Sequence, residues 1–266
     1  MNELITLVVA MLKGGQAKSI TAFNMAKELA RNYDLRVLLV DFDPQNSQGD
    51  LVSIVNPKAT IYDVLSLHQD IHTAIHQVGD IWIIPSQLDL VLLEAEWVQK
   101  LARRVKNHIL GPIANEFDIV IFDSPSSAGS LLQALLRTVQ FLLITCTPDH
   151  MSWVGLKAME LLKWKANQDR HRSSKLVNLG ITITRYKGGR LYNPKEIMEK
   201  LRNDFGKNPG ILPQFISESV AVTEAAYHGQ SMHEWNRKHK VTKQYEELTK
   251  LVYQKIKEVR NGKKRN

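Results

Sequence analysis

The sequence predicts an α/β fold: a single-domain, doubly wound, mostly parallel sheet of about seven strands with helices on both faces. Three observations carry that expectation. Short apolar runs alternate with helical periodicities along the chain. A glycine pair separates the first apolar run from the first helix, and two later runs end in aspartates, where open α/β sheets place their ligands. No Pro/Gly/Ser-rich linker and no repeat divides the 266 residues, so one domain over 1–266 is expected, closed by a basic helix and tail at about 240–266.

The elements follow in order. Leu4-Ile5-Thr6-Leu7-Val8-Val9-Ala10-Met11 reads as a buried strand, and Gly14-Gly15 as the tight turn after it. A helix starting near Lys18 carries Ala22, Met25, Ala26 and Leu29 on one face and ends near Tyr33-Asp34. The run from Arg36 to Pro44 is a parallel strand delivering Asp41 and Asp43, which two-residue spacing would put on one face. Ile81-Trp82-Ile83-Ile84-Pro85 is a short strand, and one long helix is expected from Leu88 to about Ile109. Phe117 to Asp123, Phe141 to Cys146 and residues 176–184 are further strands, the last two separated by an amphipathic helix from about Ser152 to Gln168. Val241, Tyr245, Leu248, Val252, Ile256 and Val259 keep an apolar stripe at helical spacing, a pattern that usually packs on its own core. The tail from Asn261 to Asn266 is expected to fray.

Composition narrows the class. With 44% hydrophobic residues the chain can bury a sizeable core. Its single cysteine, Cys146, excludes an intrachain disulfide and sits in an apolar run, as a buried inert thiol would. No run of 18 apolar residues and no secretory leader is visible, so a cytoplasmic protein is expected. The net charge of +8 conceals a division: residues 1–150 hold 11 Lys and Arg against 16 Asp and Glu, and residues 151–266 hold 24 against 11. A C-terminal half at +13 suggests a polyanionic partner, nucleic acid or an anionic membrane, with a merely solvated face as the competing reading.

The stretch Lys13-Gly14-Gly15-Gln16-Ala17-Lys18-Ser19 carries the chemistry. A strand, a glycine turn and a helix N-terminus present backbone N–H groups to a phosphate chain, and glycines let the backbone approach the oxygens. Lys18 would reach the β- and γ-phosphates, and the Ser19 hydroxyl would take a place on Mg²⁺. The ordinary G-x-x-x-x-G-K-[ST] loop would need glycines where Leu12 and Ala17 stand. What remains, K-G-G-x-x-K-S, resembles the deviant Walker A loop of the ParA/MinD family of P-loop ATPases. A glycine turn flanked by two solvated lysines is the bland alternative. The resemblance implies a P-loop NTPase using ATP and Mg²⁺, with the nucleotide on Gly14, Gly15, Gln16, Ala17, Lys18, Ser19 and Ile20. It also implies that Lys13 crosses to a partner's nucleotide in an ATP-dependent homodimer.

The acids extend the resemblance. Asp41-Phe42-Asp43-Pro44-Gln45 looks like the family's D-x-D-P-Q motif, which implies Asp43 as the residue that orients the attacking water and Asp41 as one near the Mg²⁺ shell. Ser47 stands where the family often has Asn. Asp123, ending an apolar strand, resembles the Walker B acid that holds Mg²⁺, and Ser124-Pro125-Ser126-Ser127-Ala128-Gly129 stands in place of C-P-P-S-x-G. Thr60 to Leu65 and Ile84 to Leu90 look like ParA-type framework segments. Ile181-Thr182-Ile183-Thr184-Arg185-Tyr186 looks like the strand bordering the adenine, which implies Arg185 at the nucleotide. Leu212-Pro213-Gln214 resembles I-P-R, with Gln214 and Ser217 in place of basic residues.

The first functional expectation is a ParA-type partition ATPase: ATP closes a dimer, the dimer binds nonspecific DNA, and a ParB-like or other adaptor stimulates hydrolysis. The DNA-binding candidates are Lys187, Arg190, Lys250 and Lys257, which would make the ATP form nucleoid-associated. The alternatives are a MinD-like ATPase with its basic C-terminal helix on lipid, though that helix lacks Trp and Phe on its apolar face, and a ParA relative that positions a protein microcompartment. No two-cysteine cluster ligand exists, so iron–sulfur redox chemistry is excluded.

Overall fold

The structure, a computed structural model, describes residues 3–170, 174–187, 194–205 and 210–263. The strands are β1 (Ile5–Ala10), β2 (Val37–Asp41), β3 (His76–Val78), β4 (Ile81–Ile84), β5 (Ile119–Asp123), β6 (Phe141–Cys146), β7 (Val177–Tyr186) and β8 (Ile211–Ser217). The α-helices are α1 (Lys18–Tyr33), α2 (Ser47–Leu51), α3 (Ile61–Leu65), α4 (Ile71–Ala74), α5 (Val98–Arg104), α6 (Ser130–Thr138), α7 (His150–Gln168), α8 (Pro194–Phe205), α9 (Val220–Tyr227), α10 (Met232–Trp235) and α11 (Lys240–Lys263).

One 8-stranded sheet runs in the order β3-β4-β2-β5-β1-β6-β7-β8. Every pairing is parallel except β3 with β4; the sheet has one strand more than the expected seven, and β3 and β8 are the two not among the six runs named above. β3 escapes a sequence reading because His76-Gln77-Val78 is too short to show alternation.

Strand periodicity decides the two faces. Ile5, Leu7 and Val9 of β1 pack with α1, α9, α10 and α11, while Val8 and Ala10 pack with α3 and α5 to α8. All six β1 residues are buried, as both faces of a parallel strand require. Each fully buried Val, Leu or Ile contributes roughly 1.5–3 kcal/mol by transfer from water.

The expected long helix from Leu88 is broken. A 3₁₀ segment covers Leu88–Ala95, α5 follows the extended residues Glu96 and Trp97, and a π-helical turn covers Val105–Leu110. The spacing explains the break. Leu90 and Leu93 are buried three apart, which suits 3₁₀ geometry, whereas Leu101, Val105 and Ile109 are buried at strict four-residue intervals, which favours a widened turn.

The stripe on α11 is buried as expected, with Val241, Tyr245, Leu248, Val252 and Ile256 at 1% exposure or less. α11 lies against α1, where Tyr33 and Tyr253 meet edge to face at 4.7 Å, and it continues as helix through Gly262 and Lys263 rather than fraying at Asn261. No helix among the described residues is long and apolar enough to cross a membrane.

Candidate functional site

β1, β5 and β2 are neighbours, and their register places Val9 beside Asp123 and Asp123 beside Asp41. The glycine loop therefore rises from the C-terminal end of a central strand, next to two acids on adjacent strands. The strand order reverses around β1, which makes this the crevice where open α/β sheets bind ligands.

The loop has the backbone that a phosphate needs. Gly15 has φ +73°, and Gly14 has open space where a Cβ would lie. Ala17 caps α1 in the left-handed conformation, φ 57° and ψ 29°, a region that costs a residue with a Cβ roughly 1–2 kcal/mol. α1 has no capping side chain and no acid in its first turn, so its first N–H groups keep their capacity for an anion. Lys18, only 6% exposed, donates to Ser126 Oγ at 2.7 Å. Burial draws its ammonium below its usual range, while the charges of Asp123 and Asp43 oppose that shift.

Gln16 is a buried anchor rather than a backbone donor alone. Its Oε1 accepts from Thr147 N at 2.7 Å and Ser152 Oγ at 3.0 Å, and its Nε2 donates to Thr147 Oγ1 at 2.8 Å. Its carbonyl accepts from Thr184 Oγ1, tying the loop to β7 as well. Lys13 forms a bidentate pair with Asp149, at 2.8 Å to each oxygen. Burial works against the Asp149 charge, but hydrogen bonds from Lys13, Thr147 and Ser152 outweigh it and hold the carboxyl at about 2. Cys146 is fully buried and burial pushes its thiol up to about 12, so it is inert.

The acid pair departs from the expected geometry. β2 ends at Asp41, and Asp43 lies in the turn beyond it rather than on the strand face. The reason is local: Asp41 Oδ1 accepts from Asp43 N at 3.0 Å and Oδ2 from Gln48 N at 2.8 Å, so this carboxylate folds residues 41–48 back on themselves. Each Asp41 oxygen already accepts one backbone N–H, whereas Asp123 Oδ1 accepts from no donor. The turn brings Asn46 so close that a Cβ on Gly49 would meet it at 2.4 Å.

Asp123 is fully buried, and its Oδ2 accepts from Gln48 Nε2 at 2.9 Å. Burial pushes its carboxyl up to about 6 against hydrogen bonds from Ser19 and Gln48 and the charge of Lys18. Asp41 is also held well above the carboxylate range, by burial and then by Asp123 beside it. Two buried acceptors here, Asp123 Oδ1 and Gln48 Oε1, find no donor. Such oxygens suit the water ligands of a hydrated Mg²⁺, so Ser19 and Asp123 fit that cation.

Arg185, with φ +51°, reaches back over the loop: Nη1 donates to Gly15 O at 3.4 Å while Nη2 meets Glu218 at 3.0 Å. Ile20 follows in the first turn of α1. Lys187 pairs with the other oxygen of Glu218 at 3.0 Å. Lys250 and Lys257 are exposed on α11, Lys257 over the Tyr253 ring at 4.7 Å, and Arg190 lies outside the described residues. Gln48, Thr147, Asp149 and Ser152 complete the site and carry no motif signal of their own, while Ser126 comes from the segment that stands in place of C-P-P-S-x-G. Two surface cavities of about 940 and 1010 Å³ lie elsewhere, one beside β3 and one where Glu3, Leu4 and Gln140 enter β1 and β6. Converging charge, not cavity size, marks the site.

Comparison with known proteins agrees with this geometry. The profile of a family described as an AAA domain (AAA_31) matches residues 4–174. A ParA family protein of Chlamydia pneumoniae is 28% identical over 262 residues, covering 92% of this chain and 96% of its own. The chromosome partitioning protein ParA of Myxococcus xanthus is 28% identical over 232 residues, covering 84% of this chain and 78% of its own. Among solved structures, Cyanothece McdA, an Asp-to-Ala variant in complex with ATP, superposes with a TM-score of 0.82 at 21% identity, covering 95% of this chain and 97% of that one. The chain belongs to this AAA domain family and is a P-loop ATPase of the ParA/MinD type.

Proposed function

We propose that this protein is a partition or positioning ATPase: ATP closes a homodimer, the dimer holds nonspecific DNA, and an adaptor protein stimulates hydrolysis and release. The observation that carries the reading is the gathering of Lys18, Ser19, Asp43 and Asp123 at the ends of neighbouring strands, with a second lysine, Lys13, beside them. Lys18 and the N-terminus of α1 bind and orient the phosphates, Ser19 and Asp123 hold the cation, and Asp43 orients water. When bound, Mg²⁺ supplies charge neutralisation at the phosphate oxygens. Similarity to a chromosome partitioning protein supports the DNA cargo, and the +13 charge of residues 151–266 supports the DNA itself.

The membrane-cycling alternative needs an apolar face of α11 free for lipid. That face is buried against α1 and β8. Binding of a DNA duplex and of anionic liposomes, measured side by side with ATP and with ADP, separates the two: ATP-dependent duplex binding is expected, and liposome binding without duplex binding would sink the partition reading.

A further inference from the structure

A second charged surface lies apart from the glycine loop, where α9, α10 and the start of α11 meet. Tyr227, at the end of α9, is 86% exposed. It stands edge-on to His228 at 5.3 Å, and His228 stacks on Trp235 with ring centroids 5.1 Å apart and planes 13° from parallel. An exposed tyrosine offers a flat apolar face with a polar tip.

The cations follow Trp235 along the chain. Residues 236–243, Asn-Arg-Lys-His-Lys-Val-Thr-Lys, contain no acid. Arg237, Lys238, Lys240 and Lys243 are all exposed, and none forms an ion pair within the described residues. This differs from Lys187, which Glu218 neutralises, and from Lys257, which lies toward the far end of α11, where Arg260 meets Glu3 O before β1. Of the nearby acids, Glu234 is engaged by Lys27 and by Ser231, Glu246 by His233 and Arg31, Glu224 stands one turn behind Tyr227, and Glu247 lies one turn beyond Lys243 on α11. The patch therefore combines an exposed ring with four cations that form no ion pair among the described residues.

We propose that this patch binds single-stranded nucleic acid, with a base stacked on Tyr227 and phosphates on Arg237, Lys238, Lys240 and Lys243. The reasoning is chemical. Phosphate contacts alone do not distinguish a duplex from a single strand, because both expose a charged backbone. A ring standing out from a helix end can stack only on a base that is not already stacked in a duplex. The inference goes beyond the nonspecific duplex contact proposed above, since it adds base contact and a preference for unpaired strands.

Fluorescence anisotropy on the full-length chain tests it, with labelled oligothymidylate of about 20 nucleotides and a duplex of the same length, above the ~4–16 nucleotides one domain covers. Tyr227→Ala should weaken oligothymidylate binding at least fivefold while leaving the duplex unchanged, because one stacked base accounts for roughly 5- to 150-fold in affinity. Tyr227→Phe should retain the parental affinity. The double variant Lys238→Glu/Lys240→Glu should weaken both probes and flatten the salt dependence for the single strand by about 0.7 log units per lost contact. An unchanged oligothymidylate affinity in Tyr227→Ala, an equal loss for the duplex in that variant, or no binding of the single strand would each overturn the proposal. Its failure is separable from failure of the duplex reading, because ATP-dependent duplex binding does not involve Tyr227.

Discussion

Lys13 Nζ stands 2.8 Å from each carboxylate oxygen of Asp149, the residue that also caps α7 by accepting from Ser152 N at 2.9 Å. One carboxylate thereby joins the glycine loop to a helix far along the chain. Lys13 can serve a nucleotide on another subunit only by leaving this pair.

Lys13→Ala should keep nucleotide binding by the monomer and lose ATP-dependent dimerisation. Asp149→Asn should act in the opposite sense. Asn keeps the helix cap, so the change removes mainly the charge that retains Lys13, and dimers should form at lower concentrations of a slowly hydrolysed ATP analogue. Sedimentation velocity on both variants reads this, and a full-strength Lys13→Ala dimer would return that lysine to a purely local role.

The same pair predicts an acid-sensitive increment of stability. A carboxyl whose folded pKa is depressed to about 2 stabilises the fold above its unfolded value near 4, and that contribution fades as pH falls toward 2. Because Asp149 is 39% exposed, solvent screening reduces the contribution to about 1 kcal/mol. Urea unfolding of Asp149→Asn should therefore show a loss of about that size at pH 7 and none near pH 2.

Lys18 and Asp43 should fail differently. Lys18→Ala removes a buried cation aimed at the phosphates, so nucleotide binding should fall by 100-fold or more, roughly 3 kcal/mol. Asp43→Ala leaves Lys18, Ser19 and Asp123 in place and should bind ATP normally while losing about 100-fold or more in turnover. Isothermal titration paired with a phosphate-release assay separates the two. Parental turnover in Asp43→Ala would remove its assignment.

Ala17→Gly tests the strain at the head of α1. Relief of a left-handed alanine gains roughly 1–2 kcal/mol, and the greater freedom of glycine in the unfolded chain takes back about 0.5–1. The net should be a stabilisation of at most about 1 kcal/mol, visible as a small rise in Tm. A fall in Tm would show that the alanine methyl packs favourably enough to outweigh its backbone cost.

Local signals carried most of this protein into view. β1, β6 and α1 appear almost where the sequence puts them, because six consecutive buried residues or one clean apolar stripe dominate their windows. The motif residues Lys18 and Asp123 converge because strand ends are fixed by register. Gln48, Thr147 and Asp149 stayed invisible since their meaning arises only when β5 and β6 flank β1, a non-local event. Asp43 was misplaced onto the strand because the Asp41 side chain competes with the ladder for its N–H, a choice that spacing alone cannot rank. The break at Glu96-Trp97 was hidden by an apolar run dense enough to imitate one helix.

The position of β1 between β5 and β6 sets an order of events in synthesis. The glycine loop leaves the ribosome well before its partners: Gln16 bonds to Thr147, 131 residues later, and β1 has no neighbour until β5 arrives. At about 5–20 residues per second, the loop exists as unstructured chain for many seconds before it can hold a phosphate. ATP cannot template the nascent N-terminal half. Ribosome-bound chains that end before β6 should therefore take up no fluorescent nucleotide, and competence should appear in one step once Thr147 and Ser152 are free to pack.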